Sequence, residues 1–118
     1  FQMSIQELGT IMEHRVPLKI ILLNNNFLGN VRQWQYMFFN KRYSFTHMLN
    51  PCYRQICEGY GLGYGLVTDR NQLEKAVADM LSTDGPYVLE CAVREEADVL
   101  PMTPPGCSVN EMLLEINH

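Results

Sequence analysis

Apolar residues occur along the chain in short runs that alternate with stretches of helical spacing. Runs of branched and aromatic residues predict three strands, at Leu18 to Leu23, about Tyr64 to Val67, and Tyr87 to Val93. Apolar residues at three- and four-residue spacing predict helices, at Ser4 to Glu13, Gly29 to Phe39, Asn50 to the residue before Gly61, and Asp69 to Ser82. Helices that alternate with buried strands favour a parallel sheet. The predicted fold is α/β, a three-layer doubly wound parallel sheet that is incomplete because only three strands are present.

Short polar residues predict where three of the helices begin. A Ser or Asn before an apolar stripe can cap free backbone N–H groups, and a Glu three residues later completes a capping box. The predicted caps are Ser4 with Glu7, Asn50 before Pro51, and Asn71 with Glu74. Met3 is expected to pack on Leu8 as a hydrophobic staple. Because a helix would start at once and residue 1 is Phe, we expect the chain to be a piece of a longer protein.

The segment GYGLGYGL, residues 59–66, has a glycine at every second position. Such spacing can be mistaken for a phosphate-binding loop, but it follows a helix and enters a strand, the reverse of the order that such a loop requires. We therefore favour a strand that contains several glycines over a nucleotide-binding loop.

The chain is expected to divide into residues 1–94, which carry the α/β pattern, and a tail at residues 95–118. The tail is acidic and rich in proline at its start, so it should run extended, with at most a short helix from Val109 to Ile116.

Composition excludes several classes of function. The 118 residues carry 9 basic and 13 acidic side chains, a net charge of −4, which argues against a nucleic-acid or anionic-membrane surface. No apolar run is long enough to span a bilayer and no signal-peptide pattern opens the chain, so a cytoplasmic location is expected. The four cysteines form no CxxC pair and are expected to be free thiols, and the three histidines are too scattered for a zinc cluster.

The run LKIILLNNNFLGN, residues 18–30, is the strongest candidate for chemistry. It delivers three consecutive Asn residues to the carboxyl end of a predicted strand, just before a helix. Parallel sheets bind ligands at this end, amide oxygens can bind a hard cation, and a helix amino terminus attracts phosphate. A plain Asn-rich turn is the alternative, because Asn is a common turn residue.

The residues that follow carry a family resemblance. NVRQWQ after the Asn turn, RYS and TH downstream, and VLPM and PPG in the tail resemble the acetolactate synthase family, in its large catalytic subunit. The resemblance covers almost the whole chain. It implies the C-terminal portion of a thiamine diphosphate-binding domain at residues 1–94, followed by the tail. The implied reaction joins pyruvate to a second 2-oxo acid, pyruvate or 2-oxobutyrate, with loss of carbon dioxide in branched-chain amino acid biosynthesis.

The resemblance also implies roles for individual residues. These are Asn25 (side-chain oxygen) and Phe27 (backbone carbonyl) as Mg²⁺ ligands, Leu28, Gly29 and Asn30 as cofactor-lining residues, and Trp34 with Val31 at the pocket of the second 2-oxo acid. A core position on its helix is the alternative for Trp34. No catalytic residue is expected here, because the activating Glu and a metal-binding Asp of the family lie outside this chain. The chain alone should therefore be inactive.

Thiamine diphosphate and Mg²⁺ are the implied cofactors, with FAD on a domain outside this chain. The implied partners are 2-oxo acids, further copies in a homo-oligomer, and a regulatory subunit. Two other functions stay open. One is a different thiamine diphosphate-dependent 2-oxo acid decarboxylase or oxidase, and the other is a non-catalytic α/β interaction module.

Overall fold

A computed structural model describes residues 1–116 and divides them into two compact units. The first unit comprises Phe1–Asn26 and Met48–Arg94, and the second comprises Phe27–His47 together with the chain from Glu95. The four helices are α1 (Glu7–Glu13), α2 (Gly29–Phe38), α3 (Tyr53–Gly59) and α4 (Leu73–Ser82). The three strands are β1 (Lys19–Asn24), β2 (Gly63–Val67) and β3 (Tyr87–Ala92). Short 3₁₀ turns lie at Gln2–Ser4, Arg70–Gln72 and Val109–Glu111.

The first unit is built on a parallel sheet in the order β1-β3-β2. Both edge strands pair in parallel with β3, and the register aligns Ile20, Val88 and Tyr64 across the sheet. The three predicted strands and their parallel arrangement are confirmed, with strand ends that differ by no more than about one residue. The sheet alternates side chains between its two faces, as strand geometry requires.

Helices cover both faces of this sheet, as predicted. On one face, α1 and α3 pack over Val88 through Leu8, Ile11 and Cys57. On the other face, α4 contributes Met80 to a second cluster with Val67, Leu89 and Cys91. The central strand β3 is therefore buried on both sides, which explains its run of apolar residues.

The sheet is incomplete at β1, which is an edge strand. Ile20 and Leu22 face the first cluster, but the alternate residues Ile21 and Leu23 are 54% and 67% exposed. Large branched residues on an open face are typical of a strand whose sequence suits burial on both sides.

The beginning of the chain differs from the predicted capped helix. Residues Gln2–Ser4 form a 3₁₀ turn, and α1 begins only at Glu7 with Gln6 as a cap that makes no side-chain hydrogen bond. Met3 is 93% exposed, so it cannot form a staple on Leu8. The prediction of a Ser4 capping box was wrong because local spacing also suits a tight turn followed by a separate helix.

Two further helix starts were also misplaced. Cys52, not Asn50, is the N-cap residue of α3, and Asn50 is used in tertiary hydrogen bonds instead. Before α4, the capping box is formed by Asp69 and Gln72, and the backbone N–H of Asn71 donates to Asp69 at 2.7 Å. In both cases the predicted cap lay within two residues of the observed one, which is the usual uncertainty at helix ends.

The glycine-rich segment enters β2, as predicted, and its spacing serves packing. The ring of Tyr87 on β3 lies across Gly63 and Gly65 of β2. A Cβ atom at Gly63 would lie 2.4 Å from Cδ2 of Tyr87, and one at Gly65 would lie 2.7 Å from its hydroxyl oxygen. The alternation of glycines therefore clears one face of β2 for an aromatic ring.

The second unit is organised around α2. The buried side chain of Gln33 donates to the Val99 carbonyl at 3.2 Å and accepts from the Val99 N–H at 2.8 Å. Arg32 pairs with Glu96 at 3.3 Å. The tail contains an isolated bridge between Met102 and Leu113, and only a 3₁₀ turn in place of a longer helix. The tail is therefore anchored to α2 by a buried amide that the sequence pattern did not reveal.

Free thiols are confirmed for all four cysteines. Cys57 and Cys91 are buried, whereas Cys52 and Cys107 are exposed. Burial raises the pKa of the Cys57 thiol, and the neighbouring Glu90 charge raises it further. Across residues 1–116, the helices are all too short or too polar to cross a membrane.

Candidate functional site

The turn that follows β1 is shaped by its first Asn. The Oδ1 atom of Asn24 accepts the backbone N–H of Asn26 at 3.0 Å, and Asn26 has a φ of 57°, in the left-handed region. Asn tolerates this conformation better than most residues, and this side-chain bond two residues along the chain is an Asx turn. The plain-turn interpretation therefore describes Asn24 and Asn26 well.

Asn50, from a distant part of the chain, stabilises the same turn. The Nδ2 atom of Asn50 donates to Asn24 Oδ1 at 2.8 Å and to Asn26 Oδ1 at 3.2 Å. Asn50 Oδ1 in turn accepts from Gln2 at 2.8 Å and from the Tyr53 hydroxyl at 2.9 Å. Sequence reasoning missed this role because Asn50 lies 26 residues from Asn24 and precedes a proline, which favoured a helix cap.

A buried carboxylate completes the network. Glu90 on β3 is 9% exposed, and its Oε1 atom accepts from Asn24 Nδ2 at 2.7 Å. Its Oε2 atom accepts from the Tyr64 hydroxyl of β2 at 2.5 Å. Burial, and then the hydrogen bond to Glu90, raise the pKa of Tyr64, so its hydroxyl stays protonated as a donor. Glu90 therefore joins both edge strands through side chains on one face of the sheet.

Asn25, the metal ligand that the family resemblance implies, is half-buried and lies between Asn24 and Asn26 in this turn. Within residues 1–116, no group of three or more His, Cys, Asp or Glu side chains could hold a metal ion. Asn25 and the Phe27 carbonyl offer only neutral oxygens. Such a donor set fits Mg²⁺ that arrives with a phosphorylated ligand, because phosphates and water supply the remaining oxygens.

The remaining predicted residues lie in the second unit, at and beyond the start of α2. Phe27 forms an isolated bridge with His47, and its ring packs edge-on to the His47 ring and 4.9 Å from the Arg32 guanidinium carbon. Leu28 is the N-cap of α2 and makes no side-chain hydrogen bond, so Gly29 and Asn30 begin the helix without a capping side chain. This uncapped, ten-residue helix suits a phosphate group at its amino terminus.

Three predicted residues are brought together on α2. Asn30, Val31 and Trp34 line an open hollow of about 190 Å³. Trp34 is 39% exposed and packs edge-on to Phe38, with ring centroids 5.5 Å apart. It belongs to neither buried core cluster, so the alternative of a core Trp does not apply in this chain.

Comparison with known proteins identifies the family. Residues 1–91 match the family described as "Thiamine pyrophosphate enzyme, C-terminal TPP binding domain". The chain therefore belongs to the thiamine pyrophosphate enzymes, in their C-terminal cofactor-binding domain. Thiamine pyrophosphate is another name for thiamine diphosphate. The family resemblance carried by NVRQWQ and the downstream strings is confirmed at the level of the thiamine pyrophosphate enzymes.

Individual relatives share most of the chain. The acetolactate synthase isozyme 2 large subunit of Escherichia coli is 43% identical over 118 residues, which cover 99% of this chain and 22% of that protein. The acetolactate synthase large subunit of Porphyra purpurea is 38% identical over 115 residues, which cover 96% of this chain and 20% of that protein. This chain thus spans about a fifth of the length of these relatives.

A solved structure supports the fold. A thiamine diphosphate-dependent 4-hydroxybenzoylformate decarboxylase of Rhodococcus jostii superposes with a TM-score of 0.71 at 22% identity, covering 81% of this chain and 18% of that chain. Both chains therefore share an α/β architecture, and the likeness at this identity concerns the fold alone.

Proposed function

We propose that this chain is the part of an acetolactate synthase catalytic subunit that holds the diphosphate end of its cofactor. The enzyme would join pyruvate to a second 2-oxo acid with loss of carbon dioxide, for branched-chain amino acid biosynthesis. The main support is the 43% identity to an acetolactate synthase large subunit over 99% of the chain, which includes the Asn turn and the start of α2.

In this proposal the chain's own residues bind and orient. The Asn25 amide oxygen and the Phe27 carbonyl would hold Mg²⁺, and Leu28, Gly29 and Asn30 would line the cofactor. Thiamine diphosphate, when bound, supplies the stabilisation of negative charge that decarboxylation requires. Val31 and Trp34 shape the pocket for the second 2-oxo acid. The hollow that these two residues share with Asn30 supports this assignment.

The proposal extends to the rest of the enzyme. Activation of the cofactor falls to a Glu outside this chain, FAD binds on another domain, and the working enzyme is a homo-oligomer with a regulatory subunit. We place it in the cytoplasm. The excess of acidic over basic residues agrees with small-molecule substrates and disfavours nucleic acid or an anionic membrane as partners.

Product analysis tests this function. The purified enzyme that carries this chain is supplied with pyruvate, thiamine diphosphate, Mg²⁺ and FAD, and the products are separated. We expect acetolactate, and 2-aceto-2-hydroxybutyrate when 2-oxobutyrate is added, with no product when Mg²⁺ is chelated. Release of acetaldehyde without acetolactate would instead support the decarboxylase alternative. Absence of any product and of cofactor binding would support a non-catalytic module.

A further inference from the structure

The Asn turn is hydrogen-bonded to a buried carboxylate. Glu90 lies on the central strand β3 and is 9% exposed, and its two carboxylate oxygens accept hydrogen bonds from Asn24 and Tyr64. We propose that Glu90 is a positioning residue for the magnesium-binding turn, because it fixes Asn24 and Asn24 fixes the conformation that presents Asn25. This inference rests on the proposed function.

The first step of the argument is the orientation of the Asn24 amide. Its Nδ2 atom donates to Glu90, and its Oδ1 atom accepts from the Asn26 N–H and from Asn50. An amide can be turned over, and only one orientation satisfies all three contacts. Because a carboxylate accepts but does not donate, Glu90 selects the orientation that directs Oδ1 towards the turn.

The second step is the effect of that orientation on the backbone. The bond to Asn24 Oδ1 closes the turn in which Asn26 adopts its left-handed φ of 57°. A left-handed conformation is disfavoured for a residue with a side chain and persists where surrounding contacts hold it. Asn25 lies between these two residues, so its backbone direction is set by the closed turn.

The third step is the rigidity of the support. Glu90 lies on the central strand β3, between the two edge strands. Partners outside the ligand shell that orient a metal ligand typically change metal affinity about 10–100-fold when removed. A buried residue on the central strand of a sheet is well suited to this task, because rigid elements hold a site more accurately than loops do.

Metal binding in three variants tests the proposal. Binding of Mn²⁺, as a spectroscopic substitute for Mg²⁺, is measured by electron paramagnetic resonance in the enzyme that carries this chain, with thiamine diphosphate present. Glu90→Leu removes both acceptors, whereas Glu90→Gln keeps an acceptor for Asn24 and can donate to the Tyr64 oxygen. Tyr64→Phe is the matched control, because it breaks the other bond of Glu90 and leaves the bond to Asn24 in place. Melting temperatures are recorded for all three.

We expect Glu90→Leu to raise the Mn²⁺ dissociation constant by about tenfold or more. Glu90→Gln should restore affinity to within about threefold of the parent, and Tyr64→Phe should keep it despite a lower melting temperature. Equal losses of affinity in Glu90→Leu and Tyr64→Phe would overturn the proposal, since stability alone would then explain them. An unchanged constant in a folded Glu90→Leu protein would overturn it as well.

A fourth variant, Asn24→Ala, covers the case in which Glu90→Leu does not fold. Asn24 is half-buried, so Asn24→Ala should fold, and it removes the acceptor of the Asn26 N–H. We expect the same loss of Mn²⁺ affinity, and an unchanged constant would contradict the inference. Failure of the parent enzyme to bind Mn²⁺ with thiamine diphosphate would be a different result, because it would refute the proposed function itself.

Discussion

Three adjacent asparagines do three different things in this chain. Asn24 is held by Glu90 and closes the turn, Asn26 adopts the left-handed conformation, and Asn25 is the proposed Mg²⁺ ligand. The same residue type suits each task because its amide is a donor, an acceptor and a neutral oxygen ligand. Position in the turn, and not residue type, distinguishes the three.

Replacement of Asn25 by Ala tests the ligand assignment. The change removes one of about six oxygens around Mg²⁺, an ion that tolerates distortion poorly. In the enzyme that carries this chain, we expect the Mg²⁺ concentration for half-maximal activation to rise by at least about tenfold. Activity titrations with Mg²⁺ measure this rise. Unaltered Mg²⁺ dependence would contradict the assignment.

Replacement of Trp34 by Leu tests the acceptor pocket. The two proposed acceptors, pyruvate and 2-oxobutyrate, differ by one methylene, which is worth about 1–3 kcal/mol in a shaped pocket, so the preference between them should shift by roughly tenfold. Because Trp34 is 39% exposed, the melting temperature should change little. Competition between the two acceptors and thermal melts of the same variant measure both effects.

Phe38→Leu is the control for this substitution. Phe38 is the edge-on partner of Trp34 on the same helix and is similarly exposed, but it does not line the hollow. We expect it to leave the product ratio unchanged. A product ratio that is also unchanged in Trp34→Leu would end the pocket assignment.

At the scale of elements, the helices and strands were predicted well, but the residues that cap the helix starts were not. Apolar periodicity extends over a whole element, so it survives a wrong assignment at one position. A cap depends on one residue, and short polar residues are frequent near every helix start here. Ser4, Asn50 and Asn71 all matched the pattern, yet α1 and α3 are capped by Gln6 and Cys52, and Asp69 caps the 3₁₀ turn that leads into α4.

The strand β2 provides a test of packing against its glycines. Gly63→Ala places a methyl group 2.4 Å from the Tyr87 ring, and overpacking of this kind costs about 1–3 kcal/mol of unfolding free energy. Gly59→Ala is the matched control, because apart from its chain neighbours and the backbone of its own helix no atom lies within 4 Å of its added Cβ. Since Gly59 ends α3, Ala there should be neutral or stabilising by up to about 1 kcal/mol. Urea denaturation distinguishes the two, and equal stabilities would refute the packing role.

At the scale of the whole molecule, the folded state should lose stability at alkaline pH. The pKa of Tyr64 is raised by burial and then by its bond to Glu90, and the pKa values of Cys57 and Cys91 are raised by burial and then by the Glu90 charge. Because the pKa of each group is higher in the folded state, the unfolded chain releases the proton at a lower pH than the folded chain does. The stability from these groups is therefore complete below their ordinary pKa values and is lost as pH rises above them.

Thermal melts between about pH 8 and about pH 11 measure this loss. We expect the melting temperature to fall steadily above about pH 9, and to fall less steeply in Tyr64→Phe. Tyr43→Phe, which alters an exposed tyrosine, should retain the parent slope. Identical slopes for all three proteins would show that the half-buried Tyr64 hydroxyl does not contribute.

The fold class, the three strands, the glycine-rich strand and the free thiols followed from the sequence by itself. Each depends on repeated or composition-wide features: apolar period, alternation of glycine, and spacing of cysteines. The family resemblance through NVRQWQ and the Asn turn likewise needed only adjacent residues.

Only the tertiary structure decided how the Asn turn is held. Asn24 is hydrogen-bonded to Glu90, 66 residues away in the sequence, and to Asn50, 26 residues away. The tail is held in the same way, by Gln33 and Val99, which are 66 residues apart. Local periodicity carries no information on such pairs, because they arise when the parallel register places β1 beside β3 and when the tail returns to α2. A buried Glu within an apolar strand is the one visible sign, and its partners become identifiable only once the strand order is known.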